Sequence, residues 1–291
     1  MQSTPAKGLP DAFLAWYFVL VWGSGFLATK LGLQYAAPFT FLTLRFTFGL
    51  ACLIVWALAT RPPLPTSLRE VAHIAVAGLL MHAVNLGGSH YAQYLGMSAG
   101  VTALILALQP LITAVVVWRF SHEQLRPRQW LGVLLGLIGV TLVVWHKIDV
   151  RAVSATALAA ACISLVGVTF GTLYQRKYCP RVDLRSAALI QFAVCLAVLA
   201  PAGWAVEGLK VQWVWPMLAA IVFLVIGGSI LAVNALHTLM RRGAATKVTS
   251  LLYLTPLIAV ALEFLTFGVV PTVLMVVGMV VACVGVALVN R

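Results

Sequence analysis

The chain has 291 residues, of which 62% are hydrophobic and only 9% are charged. Soluble domains carry about 25% charged residues, so this composition excludes a soluble globular protein and requires a lipid bilayer as the solvent. The formal net charge is +12, but the basic residues stand singly between apolar runs and do not cluster on one face, which argues against nucleic-acid binding.

Ten apolar runs are bounded by Pro, Gly and charged residues, and each has about the 20 residues that a helix needs to cross the hydrocarbon core. The first run is long for a signal-peptide core and lacks a convincing cleavage site, so it is kept as a span. The predicted fold class is an all-α integral membrane protein with ten transmembrane helices. In chain order these span residues 12–32, 38–59, 71–94, 98–118, 129–146, 153–175, 186–205, 214–238, 245–267 and 271–290.

The basic residues predict how these helices are oriented. Fourteen of the 19 Lys and Arg residues fall on the side that holds both termini and four on the other side, with Arg45 inside the second helix. By the positive-inside rule, both termini are predicted to be cytoplasmic. Five cysteines are scattered without Cys-x-x-Cys or Cys/His spacing, so neither a metal nor another cofactor is predicted.

The two halves of the chain repeat each other at an offset of 146 residues. Prolines and glycines held in register across a helix pair indicate a duplication of residues 1–147 and 148–291. The matched positions are Leu108–Ile112 with Leu254–Ile258, Gly132 with Gly278, Gly139 with Gly285, and Arg45-Phe46 with Gln191-Phe192. Each copy holds five helices, an odd number, so the second copy is inverted. Inverted repeats are typical of secondary transporters, in which the substrate binds near the midplane and access alternates.

Short motifs run along almost the whole chain: Trp22-Gly23-Ser24-Gly25-Phe26, Arg45-Phe46, Gly96 through Gly100, Pro110, Glu123, Gly132 and Gly139, with Pro256, Gly278 and Gly285 in the second half. With these motifs the chain resembles the drug/metabolite transporter superfamily, in its ten-helix bacterial form with paired EamA-type repeats. Val269 stands where the pattern has Glu, which weakens any role of that glutamate beyond anchoring a loop. The chain looks most like the YddG-type exporters, which implies export of aromatic and other neutral amino acids across the bacterial inner membrane. Relatives with similar spacing carry purines, sugars, cationic drugs or nucleotide sugars.

Polar residues inside the predicted spans form stripes on single helix faces. In the third helix His82, Asn85, Ser89 and Gln93 recur every three or four residues and share a face. A polar side chain that faced lipid would lose its hydrogen bonds, so these faces are expected to meet protein or water. Bonding within the helix or to a neighbouring helix is the alternative. Similar stripes are Ser98, Thr102, Gln109 and Thr113 in helix four, Asn234, His237 and Arg241 in helix eight, and Thr246, Thr249 or Ser250, and Tyr253 in helix nine.

The predicted substrate-binding residues come from these stripes, together with one tryptophan that lies mid-span beside two glycines. They are Trp22, His82, Asn85, Ser89, Gln109 and Tyr253. The predicted gating or hinge residues are Tyr91, Pro110, Asn234, His237 and Pro256. Each of the two prolines removes a backbone hydrogen bond at matching positions of helices four and nine, where a hinge is expected. For Trp22 tight packing is the alternative, and for Tyr91 and Tyr253 anchoring at the membrane interface.

Ionisable residues are sparse inside the spans. Arg45 lies about 10 Å inside helix two from its outer end, shallow enough to snorkel. Glu263 is the sole carboxylate clearly within a span and is expected to pair with a base at similar depth. Proton-driven pumps usually relay through buried Asp, Glu or His, so strong proton coupling is not indicated, and facilitated diffusion or exchange is an equal expectation.

Small-x-x-x-small spacing marks three of the predicted helices. It occurs at Gly132 and Gly136, at Gly167 and Gly171, and at Gly278 and Ala282. This spacing favours close helix packing within the chain over dimerisation. Helices five and ten are expected to form a static scaffold, with the other eight around the cavity.

Other classes of function fit less well. A membrane enzyme would show convergent catalytic side chains or a known motif, and neither occurs. A channel would show pore-lining charges or carbonyl filters, usually in an oligomer. A nucleotide-sugar transporter would need Lys or Arg at mid-span to pair a dehydrated diphosphate, and no central position supplies one. The sequence therefore predicts a monomeric transporter whose partners are a small-molecule substrate and the lipid bilayer, with no nucleic acid.

Overall fold

The computed structural model describes residues 10–121, 126–149, 153–232, 235, 238–239 and 254–289. The described residues are helical and contain no strand beyond one isolated bridge between Ala36 and Val211. The helices are α1 Asp11–Gly32, α2 Pro38–Thr60, α3 Leu68–Gly78, α4 Asn85–Tyr94, α5 Ala99–Leu106, α6 Gln109–Ser121, α7 Pro127–Asp149, α8 Ala155–Tyr178, α9 Leu184–Glu207, α10 Trp215–Val222, α11 Thr255–Phe267 and α12 Val273–Val289. Two π-helical segments continue α3 and α10: π1 Leu79–Val84 and π2 Phe223–Ala232.

Seven helical stretches in the described part are long and apolar enough to cross a membrane: Asp11–Gly32, Pro38–Thr60, Leu68–Tyr94, Ala99–Phe120, Ala155–Tyr178, Leu184–Glu207 and Trp215–Ala232. The apolar part of α7, Pro127–Val143, and the helices α11 and α12 are shorter. Outward faces are apolar too, as on α12, where Val277, Val280 and Val284 are exposed. Such a surface belongs in lipid. That there are ten spans, and that both termini are cytoplasmic, remain predictions.

One of the predicted helices is interrupted in a way that the hydrophobic pattern does not show. Predicted helix four is broken after Leu106, and α6 begins at Gln109 with Pro110 in its first turn. Proline has no N–H to donate and its ring crowds the carbonyl four residues back, so α5 cannot run through this point. Pro256 holds the same position in the first turn of α11.

The π-helical segments are the second difference from the predicted helices. Each inserts extra backbone into a span, and π1 carries His82 at its centre. A π turn rotates the residues that follow it relative to those before it, which changes the face that the predicted stripe presents. Such turns occur often at functional sites.

The helix ends are held by side chains that complete the backbone hydrogen bonding. Ser67, Ser98 and Ser154 accept from the amide three residues ahead, at 3.1 to 3.2 Å. Asp183 accepts from the Arg185 amide at 2.9 Å at the start of α9. The Arg185 side chain also donates to this carboxylate and lowers the pKa of Asp183 below its usual value. These are ordinary N-caps that fix where the spans begin.

Two further helix starts are capped by carboxylates from distant parts of the chain. Glu207, at the end of α9, accepts from the amides of Phe39 and Thr40 at 3.0 and 2.7 Å. Glu263 in α11 accepts from the amides of Ala99 and Gly100, both at 3.2 Å. A carboxylate is favoured there because the free amides of a helix N-terminus carry partial positive charge.

Glu263 also forms an ion pair with Lys30 in the last turn of α1. The prediction that Glu263 pairs with a base at similar depth is therefore confirmed. The pair joins α1 and α11, and through the capped amides it also holds the start of α5. The turn from α1 to α2 is short, so the last turn of α1 and the first turn of α2 lie at the same end of the bundle. Glu207 and Glu263 therefore make their contacts at that same end.

Glycines bring α7 and α12 into contact along their lengths. A Cβ on Gly132 would lie 2.5 Å from the carbonyl oxygen of Gly285, and one on Gly139 would lie 2.5 Å from the amide of Ala282. The two backbones therefore touch, as small-x-x-x-small spacing predicts. Gly167 and Gly171 of α8 play the same part against π1. The predicted intramolecular helix packing is confirmed for these two helix pairs.

Helices α2 and α9 pack closely around an apolar cluster that includes Phe46 and Phe192. Gly49 makes room for Phe192, whose Cε2 would lie 2.7 Å from a Cβ at that position. Gly78 similarly admits the backbone of Gln191, so α3 approaches α9 closely. This junction of α2, α3, π1 and α9 positions the candidate site.

Candidate functional site

His82 lies at the centre of the junction, on π1. Its Nε2 is 3.3 Å from Oε1 of Gln191 on α9, a long hydrogen bond in which the ring donates. The imidazole also meets the rings of Phe46 and Phe192 edge-on, with centroids 6.0 and 5.6 Å away. The predicted site residue His82 therefore lies between both halves of the chain, in aromatic and amide surroundings.

The polar contacts continue from His82 along α8. Nε2 of Gln191 donates to Oε1 of Gln175 at 3.0 Å. The neighbouring Tyr174 hydroxyl lies 2.8 Å from Nδ1 of His73, at the end of the bundle where α3 begins. These residues link α3, π1, α8 and α9 by side chains.

Arg45, on α2, is a charged residue within electrostatic range of His82. Its Nε is buried and has no hydrogen-bond partner, and the guanidinium takes part in neither of the two ion pairs among the described residues. It lies within electrostatic range of both His82 and His90. The side chain therefore does not snorkel to the membrane surface as the sequence suggested, since its Nε is enclosed by protein.

In the described part of the chain, three further buried polar atoms lack a hydrogen-bond partner: Nε2 of His90, Oε1 of Gln93 and Oγ1 of Thr255. His90 and Gln93 lie three residues apart on one face of α4 and are 2% and 6% exposed. Thr255 begins α11 and lies against Gly23, next to Trp22. Buried polar groups are normally paired, so these atoms mark places where a ligand or water belongs.

Three predicted site residues make hydrogen bonds within the protein. Asn85 donates to the Met81 carbonyl at 3.1 Å, and its Oδ1 accepts from Ser164 at 2.7 Å, which ties α4 to α8. Ser89 donates to the Leu86 carbonyl at 3.2 Å. Gln109 donates to Thr172 at 3.0 Å, between α6 and α8. Their substrate contacts remain predictions.

The aromatic candidates lie on more open surfaces. Trp22 is 45% exposed and packs against Phe18, with ring centroids 5.3 Å apart. Tyr91 stacks on Phe39 at 6.3 Å and lies beside Tyr94. The hinge candidates Pro110 and Pro256 each stand in the first turn of a helix. The remaining candidates, Asn234, His237 and Tyr253, lie outside the described residues.

The structure adds residues that the predicted site did not include. Each of them either belongs to the contacts that surround His82 and Gln191 or has a buried atom without a partner: Arg45, Phe46, His90, Gln93, Gln175, Gln191, Phe192 and Thr255. One signal for them was present, because Arg45-Phe46 and Gln191-Phe192 match each other at the repeat offset. No group of three His, Cys, Asp or Glu side chains suited to a metal ion occurs in the described part of the chain.

Comparison with known families gives two matches within this chain. The model of the EamA-like transporter family matches residues 10–145 and again residues 155–291. A solved crystal structure superposes with a TM-score of 0.66 at 20% identity and covers 96% of both chains, which shows a shared fold.

Curated relatives are similar over most of their length. The uncharacterized transporter YvbV of Bacillus subtilis is 26% identical over 258 residues, which are 87% of this chain and 84% of that protein. The uncharacterized inner membrane transporter YedA of Escherichia coli is 25% identical over 243 residues, 84% and 78% of the two chains. The probable amino-acid metabolite efflux pump of Salmonella typhimurium is 25% identical over 167 residues, 57% and 54% of the two chains.

Proposed function

The chain belongs to the EamA-like transporter family, and from that premise we propose that it exports neutral amino acids, aromatic ones among them, across the bacterial inner membrane. The general role of a membrane transporter follows from the family and from the relatives named as transporters. Export of amino acids is supported by one relative, named as a probable amino-acid metabolite efflux pump. The inner membrane is supported by another, named as an inner membrane transporter.

The observation that carries the proposal is the surroundings of His82. The imidazole contacts the aromatic rings of Phe46 and Phe192 and hydrogen-bonds Gln191, which in turn donates to Gln175, at a point where both halves of the chain meet. Small-molecule sites combine mostly apolar walls with a few convergent polar groups. An amphipathic solute with a hydrophobic side chain suits such walls, as an aromatic amino acid does.

The transport mechanism we propose is alternating access between two inverted five-helix repeats, residues 1–147 and 148–291. Helix contacts support the repeat, because exchanging the halves turns several observed pairs into other observed pairs. The contacts of α8 with α3 and π1 correspond to those of α1 with α10 and π2, while α2 with α9 and α7 with α12 correspond to themselves. Residues 79–84 of π1 fall at the offset of 146 on residues 225–230, inside π2.

The helices divide naturally into a fixed and a moving part. Backbone contact between α7 and α12 leaves little freedom for sliding, because their glycines face each other's main chain. We assign these two helices to the scaffold. The remaining helices rock around the site near His82, and Pro110 and Pro256 stand at matching positions in the first turns of α6 and α11.

The main alternative substrate is a nucleotide sugar. Its diphosphate carries two negative charges that need cationic partners when dehydrated. The described residues place one unpaired guanidinium beside His82, that of Arg45. One cation matches one carboxylate better than it matches a diphosphate, which favours the amino acid.

The test is exchange transport by purified protein in liposomes. Labelled Phe, Thr and Met, with a nucleotide sugar for comparison, are offered to the wild type, to His82→Ala and to His73→Ala. We expect saturable amino-acid flux in the wild type and the His73 control, and a loss of about tenfold or more in kcat/KM for His82→Ala at equal folded protein. Flux of the nucleotide sugar without flux of amino acids would refute the substrate assignment.

A further inference from the structure

Arg45 presents a buried donor for which the described protein has no acceptor. Its Nε is shielded from solvent and unpartnered. A guanidinium held in protein without an anion is unfavourable, because the loss of hydration is not offset. In membrane proteins an ionisable side chain inside a span is retained chiefly where transport uses it.

The carboxylates of α9 and α11 are already engaged. Glu207 accepts the free amides at the start of α2, on the same helix as Arg45. Glu263 pairs with Lys30 and accepts the amides of α5. Neither of these acids is therefore available to neutralise Arg45.

Helix α4, which packs beside α2, presents unpaired acceptors. The Ser89 hydroxyl donates to the Leu86 carbonyl at 3.2 Å, and its oxygen lies 3.4 Å from Nδ1 of His90. Because the one hydroxyl hydrogen is used on Leu86, Nδ1 of His90 is the donor to Ser89, and a neutral ring that donates from Nδ1 has Nε2, which lacks a partner, as an acceptor. Oε1 of Gln93, three residues further on the same face, is a second buried acceptor without a donor.

We propose that these groups bind the two charged ends of a zwitterionic α-amino acid: Arg45 receives the carboxylate, while His90 and Gln93 receive the ammonium group. This assignment deepens the proposed function and rests on it. Guanidinium matches a carboxylate in shape and charge, and neutral nitrogen and amide oxygen suit a cationic N–H donor. The ring of Phe41, 5.9 Å from that of His90, lies alongside for the substrate's side chain.

The three groups are buried in this conformation, so a substrate reaches them only when the helices part. Alternating access supplies that movement, and the unpaired atoms then exchange water for substrate. The corresponding position in the second half holds Gln191, which is uncharged. The positive charge therefore lies on one side of the proposed site only, and this fixes the orientation in which a zwitterion binds.

The experiment separates the two ends of the substrate by competition against uptake of labelled L-phenylalanine in liposomes. The competitors are L-phenylalanine, L-phenylalaninamide, which lacks the carboxylate, and 3-phenylpropanoate, which lacks the ammonium group. For the wild type we expect both analogues to inhibit roughly 10- to 100-fold more weakly than phenylalanine. Arg69→Gln, which removes an exposed arginine, is the matched control and should keep this ranking.

Each variant should lose one discrimination and keep the other. Arg45→Gln is expected to bind phenylalanine and its amide equally while still rejecting 3-phenylpropanoate. Gln93→Leu is expected to lose the preference for phenylalanine over 3-phenylpropanoate and to keep the preference over the amide. Parallel losses of both preferences in both variants would overturn the assignment, because they would indicate general damage to the site.

Thermal unfolding of the purified protein without substrate is the second readout. Because Arg45 has no partner in the described protein, Arg45→Gln should unfold at the same or a higher temperature than the wild type. A structural role would lower that temperature, and such a result would overturn the proposal. Arg45→Lys keeps the charge and should retain a weaker preference for carboxylates.

Failure of the proposed function would look different. If the wild type carries no amino acid, its unfolding temperature is measured with 3-phenylpropanoate and with 3-phenylpropanamide. Stabilisation by the carboxylate alone, lost in Arg45→Gln, would keep Arg45 as an anion receptor while amino-acid export fails. Equal response of the wild type to both compounds would refute the receptor as well.

Discussion

At the scale of single residues, Gln191 has the most consequential set of contacts, because its amide joins His82 to Gln175. We expect Gln191→Ala to raise KM for the transported amino acid and to lower the free energy of unfolding by about 1 kcal/mol, as for other hydrogen bonds between membrane helices. The Cα and Cβ atoms that contact Gly78 remain in alanine, so packing of α3 on α9 is retained.

Gln129→Ala is the matched control for this prediction. Gln129 also makes two hydrogen bonds, to the Arg126 amide at 2.9 Å and to the Val289 carbonyl at 3.1 Å, but it lies at one end of the bundle, away from His82. Its loss should lower the unfolding temperature and leave KM unchanged. Equal KM values in both variants would show that Gln191 serves packing only.

Individual site residues could be predicted from the sequence only in part. The stripe on the third helix selects polar residues by spacing, and spacing cannot tell which of them find partners. Asn85 and Ser89 bond to nearby protein atoms, whereas the same stripe's Gln93 keeps an unpaired buried oxygen. Snorkelling was predicted for Arg45 because its depth along α2 can be counted from the sequence. The enclosure of its Nε could not be predicted in this way, because it depends on the neighbouring helices.

At the scale of elements, the contact of α7 with α12 is the most extensive helix contact of the described structure. A Cβ on Gly139 would lie within 2.5 Å of the Ala282 amide, and backbone cannot yield as a flexible side chain can. We expect Gly139→Ala to destabilise the protein by about 1 to 3 kcal/mol, the usual effect of overpacking. Thermal unfolding of the purified protein measures this.

Gly228→Ala provides the comparison, since a Cβ on Gly228 would meet no atom within 4 Å. The same chemical change should there leave the unfolding temperature unchanged or slightly raised, because alanine is less flexible than glycine in the unfolded chain. If both variants unfold alike, the α7 and α12 backbones are not in contact.

Existence of the helices was predictable because long apolar runs have one solution in a bilayer, a hydrogen-bonded helix. The interruptions inside the helices were less predictable from the sequence. The break before Pro110 follows from proline chemistry, yet the predicted span ran through it because the apolar pattern is uninterrupted. The π segments carry no sequence signature in this chain, since a single inserted residue leaves composition unchanged.

At the scale of the whole molecule, the proposed repeat rests on glycines at helix crossings, where close contact constrains the sequence strongly. Gly132, Gly139, Gly278 and Gly285 match at the offset, and the structure uses all four where α7 meets α12. Orientation in the membrane is a different matter. It depends on loop charges and on the insertion machinery, and the relative arrangement of helices does not fix it.

The proposed inverted repeat makes a direct prediction about two loops at equivalent positions. Leu64, between α2 and α3, corresponds at the offset of 146 to Lys210, between α9 and α10, and both are exposed. In a variant freed of its five native cysteines, Leu64→Cys and Lys210→Cys are each treated with a membrane-impermeant maleimide on intact bacterial cells whose outer membrane has been permeabilised. Lys210→Cys should be labelled at once, and Leu64→Cys only after the inner membrane is opened, because inversion puts equivalent loops on opposite sides. Labelling of both from the same side would refute the inversion, and labelling of Leu64→Cys alone would keep it and reverse the predicted cytoplasmic termini.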